Sequence, residues 1–212
     1  MQKIFLFDFD GTLVTEDMLD VACDIVGKKE ESRKINEGVI NGTKHGLEPL
    51  CQRINFLKGV TYEQIKNKLN ENNYLREGVI ELFKYLNENG FITVLSSGNI
   101  YPILRYYQEL LGITYIFGSM PNMKEDAIDN IQESNFKGNN FKYESCLEVL
   151  NQFPEKKVYG IGDSAVDIQM LSLTDMSFAI DPKGDLDKHV DYVIKDMREI
   201  IDYLEKNYQK EM

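Results

Sequence analysis

Two carboxylates, one residue apart, follow a short apolar run near the start of the sequence. The residues from Ile4 to Phe7 are all apolar, and Asp8 and Asp10 come next. Because alternate side chains of an extended chain point the same way, both carboxylates can face one cavity. Two anionic groups that close repel each other unless a cation or a shared proton lies between them. The pair therefore predicts a binding site for a hard divalent cation, most simply Mg²⁺.

Further polar groups also come where predicted strands end, and in a fixed order along the chain. They are Ser96-Ser97-Gly98-Asn99, then Lys142, then the run from Gly162 to Asp167, which supplies the carboxylates of Asp163 and Asp167. Each group alone has a common structural explanation, since serines cap helices, lysines are solvated and Gly-Asp forms turns. Hydroxyls and backbone N–H groups at a helix N-terminus also bind anions. Together the groups predict one site for an anion and a metal at the edge of a sheet.

Strand-like and helix-like segments alternate along most of the chain. We predict strands at Ile4–Phe7, Ile92–Leu95, Val158–Ile161, Phe178–Ile180 and Tyr192–Ile194. We predict helices at Gly78–Asn89, Ile100–Leu111, Tyr143–Phe153 and Asp196–Tyr208. This alternation is typical of an α/β fold with a parallel sheet covered on both faces. For residues 113–140 we expect irregular connections and a short hairpin.

Residues 16–75 differ from the rest because only helical patterns occur there. These patterns cover Asp17–Val26, Glu31–Asn41, Glu48–Leu57 and Tyr62–Asn70. We therefore expect a core of residues 1–15 and 76–212, with an inserted helical cap domain of residues 16–75. An insert after the first strand would lie over the carboxyl end of the sheet, where inserts commonly close over ligands.

The composition limits the class of partner. The chain has 24 Lys and Arg against 35 Asp and Glu, a net charge of −11, which argues against nucleic acid and anionic membrane surfaces. A small phosphorylated metabolite is still compatible, because a bound metal and a few local cations can reverse the field inside a cleft. The 3 cysteines have no metal-ligand spacing, and no signal-peptide or membrane-spanning pattern occurs. We expect a cytoplasmic protein.

The order of these groups resembles the haloacid dehalogenase superfamily, a large group of mostly Mg²⁺-dependent phosphatases. Its first motif, Asp-x-Asp-x-Thr, matches the residues that begin at Asp8, and its second, an apolar run ending in Ser or Thr, ends here at Ser96. Its lone Lys is best placed at Lys142, with Lys137 as an alternative, and its Gly-Asp-x-x-x-Asp motif begins at Gly162. The resemblance implies a three-layer α/β/α Rossmann-like core that hydrolyses phosphomonoesters.

The resemblance also implies a chemical step for each acidic residue. Asp8 attacks phosphorus and forms an aspartyl-phosphate intermediate. Asp10 protonates the leaving alcohol and then activates water for the second step. The resemblance further implies that Asp8, Asp163 and the backbone carbonyl of Asp10 would hold Mg²⁺.

The remaining motif residues are implied to bind the phosphoryl group or to support the site. Ser96 and Lys142 would hold phosphoryl oxygens, and Asp167 would orient Lys142 or support the metal ligands. Thr12, the last residue of the first motif, would also be a supporting residue. We expect further substrate contacts from the two residues that follow Ser96, namely Ser97 and Gly98.

The helical insert resembles the cap of the phosphoserine phosphatase subgroup, in which a Glu faces the substrate amino group and an Arg binds its carboxylate. The matching residues are Asp17, with Glu16 as the alternative, and Arg53. Asp17 is shorter than the family Glu, and Val166 stands where Asn is usual.

An alternative resemblance is to the methionine-salvage enol-phosphate phosphatases, and it rests on the runs Gly162-Asp163-Ser164 and Arg76-Glu77-Gly78. A phospho-Asp signalling module of the receiver-domain type is a further alternative.

Overall fold

The computed structural model describes residues 1–135 and 140–211. The strands are β1 (Gln2–Phe7), β2 (Ile92–Ile100), β3 (Tyr115–Ser119), β4 (Asn122–Lys124), β5 (Ala127–Asn130), β6 (Lys156–Gly162), β7 (Met176–Ile180) and β8 (Tyr192–Ile194). The helices are α1 (Met18–Cys23), α2 (Lys29–Ile40), α3 (Glu48–Asn55), α4 (Tyr62–Leu69), α5 (Val79–Glu88), α6 (Tyr101–Leu111), α7 (Phe141–Leu150), α8 (Ile168–Leu171) and α9 (Arg198–Glu211). None of the described helices is long and apolar enough to span a bilayer.

The main sheet has six strands in the order β3-β2-β1-β6-β7-β8. All neighbouring strands run parallel, so their connections must cross from one end of the sheet to the other. Strand β1 lies between β2 and β6, and the three strands that carry the chemical motifs are therefore adjacent. Their carboxyl ends meet at one edge, where open α/β sheets bind ligands. The predicted α/β fold with a parallel sheet is confirmed.

Alternation along β1 divides the interior into two apolar layers. Phe5 and Phe7 belong to a large cluster that includes α5, and the rings of Phe7 and Phe83 lie 4.7 Å apart. Ile4 and Leu6 point to the opposite face, where they pack with residues of α7 and α8. Because side chains alternate along the chain, Asp8, which follows the strand, faces α7 as Ile4 and Leu6 do.

Helices α1 to α4 form a block between β1 and α5, and the chain enters and leaves this block through one narrow neck. At the neck, Thr15 N–H donates to the Tyr74 carbonyl at 3.0 Å, and Arg76 N–H donates to the Leu13 carbonyl at 2.9 Å. The block is apolar on its inner side, where Leu19 joins the larger cluster of the core. It is thus packed against the sheet domain rather than tethered to it by a loose linker.

The antiparallel hairpin β4–β5 is attached to this helical block. Gly59 N–H donates to the Ile128 carbonyl at 2.7 Å, and Ile128 N–H donates to the Val60 carbonyl at 2.9 Å. Asn55 also exchanges hydrogen bonds with the backbone of Ile131, at 3.1 and 2.8 Å. The short hairpin expected within residues 113–140 is present, but the expectation of irregular connections missed β3, which pairs with β2 at the sheet edge.

Candidate active site

The carboxyl ends of β1, β2 and β6 border a cavity of about 310 Å³. Leu19 of α1 and Leu50 of α3 also line it, so the cavity lies between the sheet edge and the helical block. Most of the residues predicted from the sequence line this one space, namely Asp8, Asp10, Asp17, Arg53, Ser97, Gly98, Lys142 and Asp163.

Three buried carboxylates meet beneath the cavity. Asp8, Asp163 and Asp167 each offer an oxygen, and these oxygens all lie within 4.8 Å of one another. Thr12 fixes one side of the cluster, because its hydroxyl donates to Asp8 Oδ2 at 2.7 Å. Asp10 does not contribute its carboxylate to the cluster. The predicted role of its backbone carbonyl stays a prediction.

Lys142 lies between two of these carboxylates. Its Nζ is 2.5 Å from Asp8 Oδ1 and 2.6 Å from Asp167 Oδ1. Burial alone would lower the pKa of Lys142, but Asp8 and Asp167 outweigh burial and raise this pKa above its ordinary value. The lysine lies in the first turn of α7 rather than before the helix as predicted. Its alternative, Lys137, lies outside the described residues.

Asp167 also shapes the loop that carries Asp163. Its Oδ2 accepts the backbone N–H groups of Asp163 and Ser164, both at 3.1 Å. Burial and the nearby Asp8 carboxylate raise the pKa of Asp167 to about 6. Asp167 therefore contacts Lys142 through one oxygen and the Asp163 loop through the other, a placement that agrees with a supporting residue.

Asp10 is held apart from the cluster by the backbone of Met18 and by Asn99, which the sequence analysis named only as the last residue of the run that begins at Ser96. Its Oδ1 accepts the Met18 N–H at 3.0 Å, and the amide of Asn99 donates to both of its oxygens, at 3.2 and 3.0 Å. Burial and the nearby Asp17 carboxylate raise the pKa of Asp10 to about 7. A carboxyl group with such a pKa can give and take a proton near neutral pH.

The placement of Ser96 contradicts the prediction that its hydroxyl holds a phosphoryl oxygen. Strand β2 continues through this residue, and alternation turns Ser96 toward α7 on the same face as Val94. Its side chain is fully buried, and its Oγ is 2.8 Å from the Oγ of Ser145. Ser97 lines the cavity instead, and its Oγ accepts the Asn99 N–H at 3.0 Å. The hydroxyl available to a ligand is therefore one residue later than predicted.

Asp17 and Arg53 meet at the roof of the cavity. Arg53 Nη2 donates to Asp17 Oδ1 at 2.6 Å, and Arg53 is 5% exposed, so it is not a surface charge. Asp17 also caps α1, because it accepts the Leu19 and Asp20 N–H groups. Glu16, the alternative in the neighbouring register, is exposed and pairs with Lys29. The structure thus brings Asp17, rather than Glu16, to Arg53.

Lys183 is a neighbour of the acidic cluster that the sequence analysis missed. Its Nζ is 2.6 Å from Asp163 Oδ2, and its backbone N–H donates to the Asp163 carbonyl at 2.7 Å. Its side chain is 68% exposed, so its charge is largely solvated. The signal that could have found it is its position just after β7, at the same carboxyl edge of the sheet as the motifs.

Comparison with known sequences gives one family and a consistent set of relatives. The family model of the haloacid dehalogenase-like hydrolases matches residues 5–172. A phosphoserine phosphatase of Methanocaldococcus jannaschii is 27% identical over 210 residues, which cover 96% of this chain and 98% of that protein. A phosphoserine phosphatase of Campylobacter jejuni subsp. doylei is 29% identical over 211 residues, which cover 95% of this chain and 99% of that protein.

Solved structures give the same result for the fold. A substrate-bound phosphoserine phosphatase complex has a TM-score of 0.80 at 26% identity, covering 96% of this chain and 98% of that chain. A phospho-aspartyl intermediate analogue of phosphoserine phosphatase has a TM-score of 0.77 at 26% identity, covering 95% and 98%. With this coverage the likeness includes the helical block as well as the sheet.

Proposed function

The chain belongs to the haloacid dehalogenase-like hydrolase family and is a phosphatase, and we propose that its substrate is O-phosphoserine or a closely related phosphorylated amino acid. The observation that carries this proposal is that Asp8 and the Asp17–Arg53 ion pair line one cavity. A phosphate bound beside Asp8 leaves the other end of a small substrate near a carboxylate and a guanidinium. Those groups suit the ammonium and carboxylate of an α-amino acid.

In the proposed reaction, Asp8 is the nucleophile and Asp10 moves the proton. An Asp8 oxygen attacks phosphorus, the bond from phosphorus to the substrate oxygen breaks, and Asp10 gives its proton to that oxygen. Asp10 then takes a proton from water, the water oxygen attacks phosphorus, and the bond to Asp8 breaks. Inorganic phosphate leaves, and both carboxyl groups regain their starting states. The hydrogen bonds from Asn99 and Met18 support this assignment because they hold Asp10 at the cavity.

The acidic cluster fits Mg²⁺, because Mg²⁺ prefers carboxylate and carbonyl oxygens and because the three carboxylates exceed the positive charge of Lys142 and Lys183. We propose that Asp8, Asp163 and the backbone carbonyl of Asp10 hold it. When bound, Mg²⁺ offsets the repulsion between Asp8 and a phosphate dianion. At 4 Å this repulsion is about 4 kcal/mol for each pair of unit charges at an effective dielectric constant near 20.

The phosphoryl oxygens have donors in the same cavity. Lys142 and the Ser97 hydroxyl, together with the Gly98 backbone N–H, are proposed to hold them. Preorganised donors of this kind supply much of the rate enhancement in phosphoryl transfer, because they stabilise the charge on the phosphoryl oxygens in the transition state. We also propose that residues 16–75 act as a cap over the cavity. A cytoplasmic location and the absence of nucleic-acid and membrane partners stay predictions from the sequence.

A substrate panel tests the proposed function. The panel contains O-phosphoserine, O-phosphoethanolamine, p-nitrophenyl phosphate and an enol phosphate, each assayed with Mg²⁺ and after chelation with EDTA. We expect the highest kcat/KM for O-phosphoserine, with activity lost on chelation and in Asp8→Asn. Asp191→Asn, which changes a remote carboxylate that binds Ser177, is the matched control. Hydrolysis by Asp8→Asn at the wild-type rate contradicts the nucleophile, and a preference for the enol phosphate contradicts the substrate.

A further inference from the structure

Arg53 is held from behind by two side chains that do not line the cavity. Its Nε donates to Ser32 Oγ at 2.9 Å, and its Nη2 donates to Asp20 Oδ1 at 3.0 Å. Ser32 is fully buried and Asp20 is 6% exposed. Neither residue borders the cavity, whereas Arg53 does. Neither side chain therefore contacts a ligand in the cavity, and Arg53 is the cavity residue to which both side chains are hydrogen-bonded.

The hydrogen bonds between these residues have a single consistent direction. Arginine can only donate, so the Ser32 oxygen accepts from Arg53 Nε. The Ser32 hydroxyl hydrogen is then free for Asp20 Oδ1, and these two oxygens are 2.5 Å apart. Ser32 thus links Arg53 to Asp20, while Asp20 also binds Arg53 directly. The guanidinium plane is fixed at Nε and Nη2 by a closed ring of contacts.

The contacts of Asp17 complete this arrangement on the cavity side. Its Oδ2 accepts from the Asn36 amide at 3.0 Å, so Asp17 does not depend on Arg53 for its position. Among the described residues, Nη1 of Arg53 has no hydrogen-bond partner. An arginine side chain has about 2 kcal/mol of rotamer entropy, and partners that remove this freedom before a ligand binds strengthen binding.

We propose that Ser32 and Asp20 are positioning residues that set the specificity of the site by holding Arg53 ready for the carboxylate of the substrate. This inference rests on the proposed function, since it assumes a phosphorylated amino acid. Without Ser32, the Nε of Arg53 loses its acceptor and the guanidinium is free to turn toward Asp17. Without the charge of Asp20, Asp17 is the one anionic partner left to Arg53 among the residues that the structure describes, and the guanidinium shifts in the same direction.

The test compares two substrates that differ in one group. O-phosphoserine carries an ammonium and a carboxylate, whereas O-phosphoethanolamine carries the ammonium alone. In Ser32→Ala and in Asp20→Asn we expect KM for O-phosphoserine to rise about tenfold, with kcat changed by less than twofold. For O-phosphoethanolamine we expect KM to change by less than twofold. Ser177→Ala, which removes another buried serine bound to an aspartate, is the control and should change neither KM.

The possible results separate this inference from the proposed function. A wild-type enzyme that does not favour O-phosphoserine over O-phosphoethanolamine overturns both. A wild-type preference that persists in Ser32→Ala and Asp20→Asn overturns the positioning role alone. An equal rise of KM for both substrates also overturns it, because a general loosening of the cap does not distinguish carboxylates. If Asp20→Asn does not fold, Ser32→Ala, which keeps every charge, decides the question by itself.

Discussion

Replacing Ser96 by alanine should leave phosphate-ester hydrolysis nearly unchanged, whereas replacing Ser97 should slow it strongly. Ser96 binds Ser145 behind the sheet edge, and Ser97 lines the cavity. Ser145 also donates to the Lys142 carbonyl at 3.1 Å, so Ser96 must be the donor in its bond with Ser145. After Ser96→Ala, Ser145 keeps its own acceptor and loses only an incoming donor.

The size of each effect follows from these contacts. A neutral hydrogen bond contributes about 1 kcal/mol to the free energy of unfolding. Its loss lowers the melting temperature of a chain of this size by about 2–4 °C. We therefore expect Ser96→Ala to lower the melting temperature by that amount while kcat/KM stays within twofold. A bond from Ser97 to a charged phosphoryl oxygen is stronger, about 1.5–3 kcal/mol, so Ser97→Ala should lower kcat/KM by about 10- to 150-fold.

The assay is steady-state hydrolysis of O-phosphoserine by both variants, with a thermal melt of each. The double variant Ser96→Ala with Ser145→Ala should cost less stability than the sum of the single variants, because the two hydroxyls bind each other. A tenfold loss of kcat/KM in Ser96→Ala, with Ser97→Ala close to wild type, refutes the placement of these two side chains and the role drawn from it.

Two further predictions concern the proton transfer and the metal site. Asp10→Asn should slow the release of serine from O-phosphoserine in the first turnover, measured by rapid mixing, by about 10²–10⁴-fold. The first-turnover release of p-nitrophenol from p-nitrophenyl phosphate should slow far less, because that leaving group needs no proton, whereas steady-state kcat should fall for both substrates because Asp10 also activates water. Equal losses in the first turnover would contradict a general acid at this position. Lys183→Ala should tighten Mg²⁺ binding about fivefold by calorimetry. The ion pair between the largely solvated Lys183 and the buried Asp163 contributes about 1 kcal/mol and competes with the cation. The control is Lys188→Ala, which removes the same charge from the connection between β7 and β8. An unchanged or weaker Mg²⁺ affinity in Lys183→Ala would show that Lys183 does not compete with the cation.

The sheet and the acidic residues could be predicted because their signals are local. An apolar run ending at Asp8 indicates a buried strand whose end carries a carboxylate, and the same reasoning applies to Asp163. Lys142 could be placed only through the family resemblance, since a single lysine has no pattern. The structure puts it 2.5 Å from Asp8.

The errors arise where tertiary contacts, rather than local patterns, decide the structure. Ser96 was assigned to the cavity because β2 was expected to end at Leu95, but the strand continues to Ile100, and a shift of one residue turns a side chain to the other face. Strand β3 was missed because it is a partly buried edge strand and, of the strands that the structure describes, it pairs with β2 alone. Ser32 could not be found, because nothing in its neighbourhood in the sequence shows which distant side chains it meets, and the one sequence signal for Lys183 was its position just after β7.

The hydrogen bonds between the β4–β5 hairpin and Val60 have a consequence for how the cavity could open. If the helical block were joined to the sheet only at Thr15 and Arg76, it could rotate as a rigid body about that neck. Because the hairpin is bonded to the block, it must travel with any such swing. The chain on either side of the hairpin then has to bend as well, and the range of the movement depends on residues far from the neck in sequence.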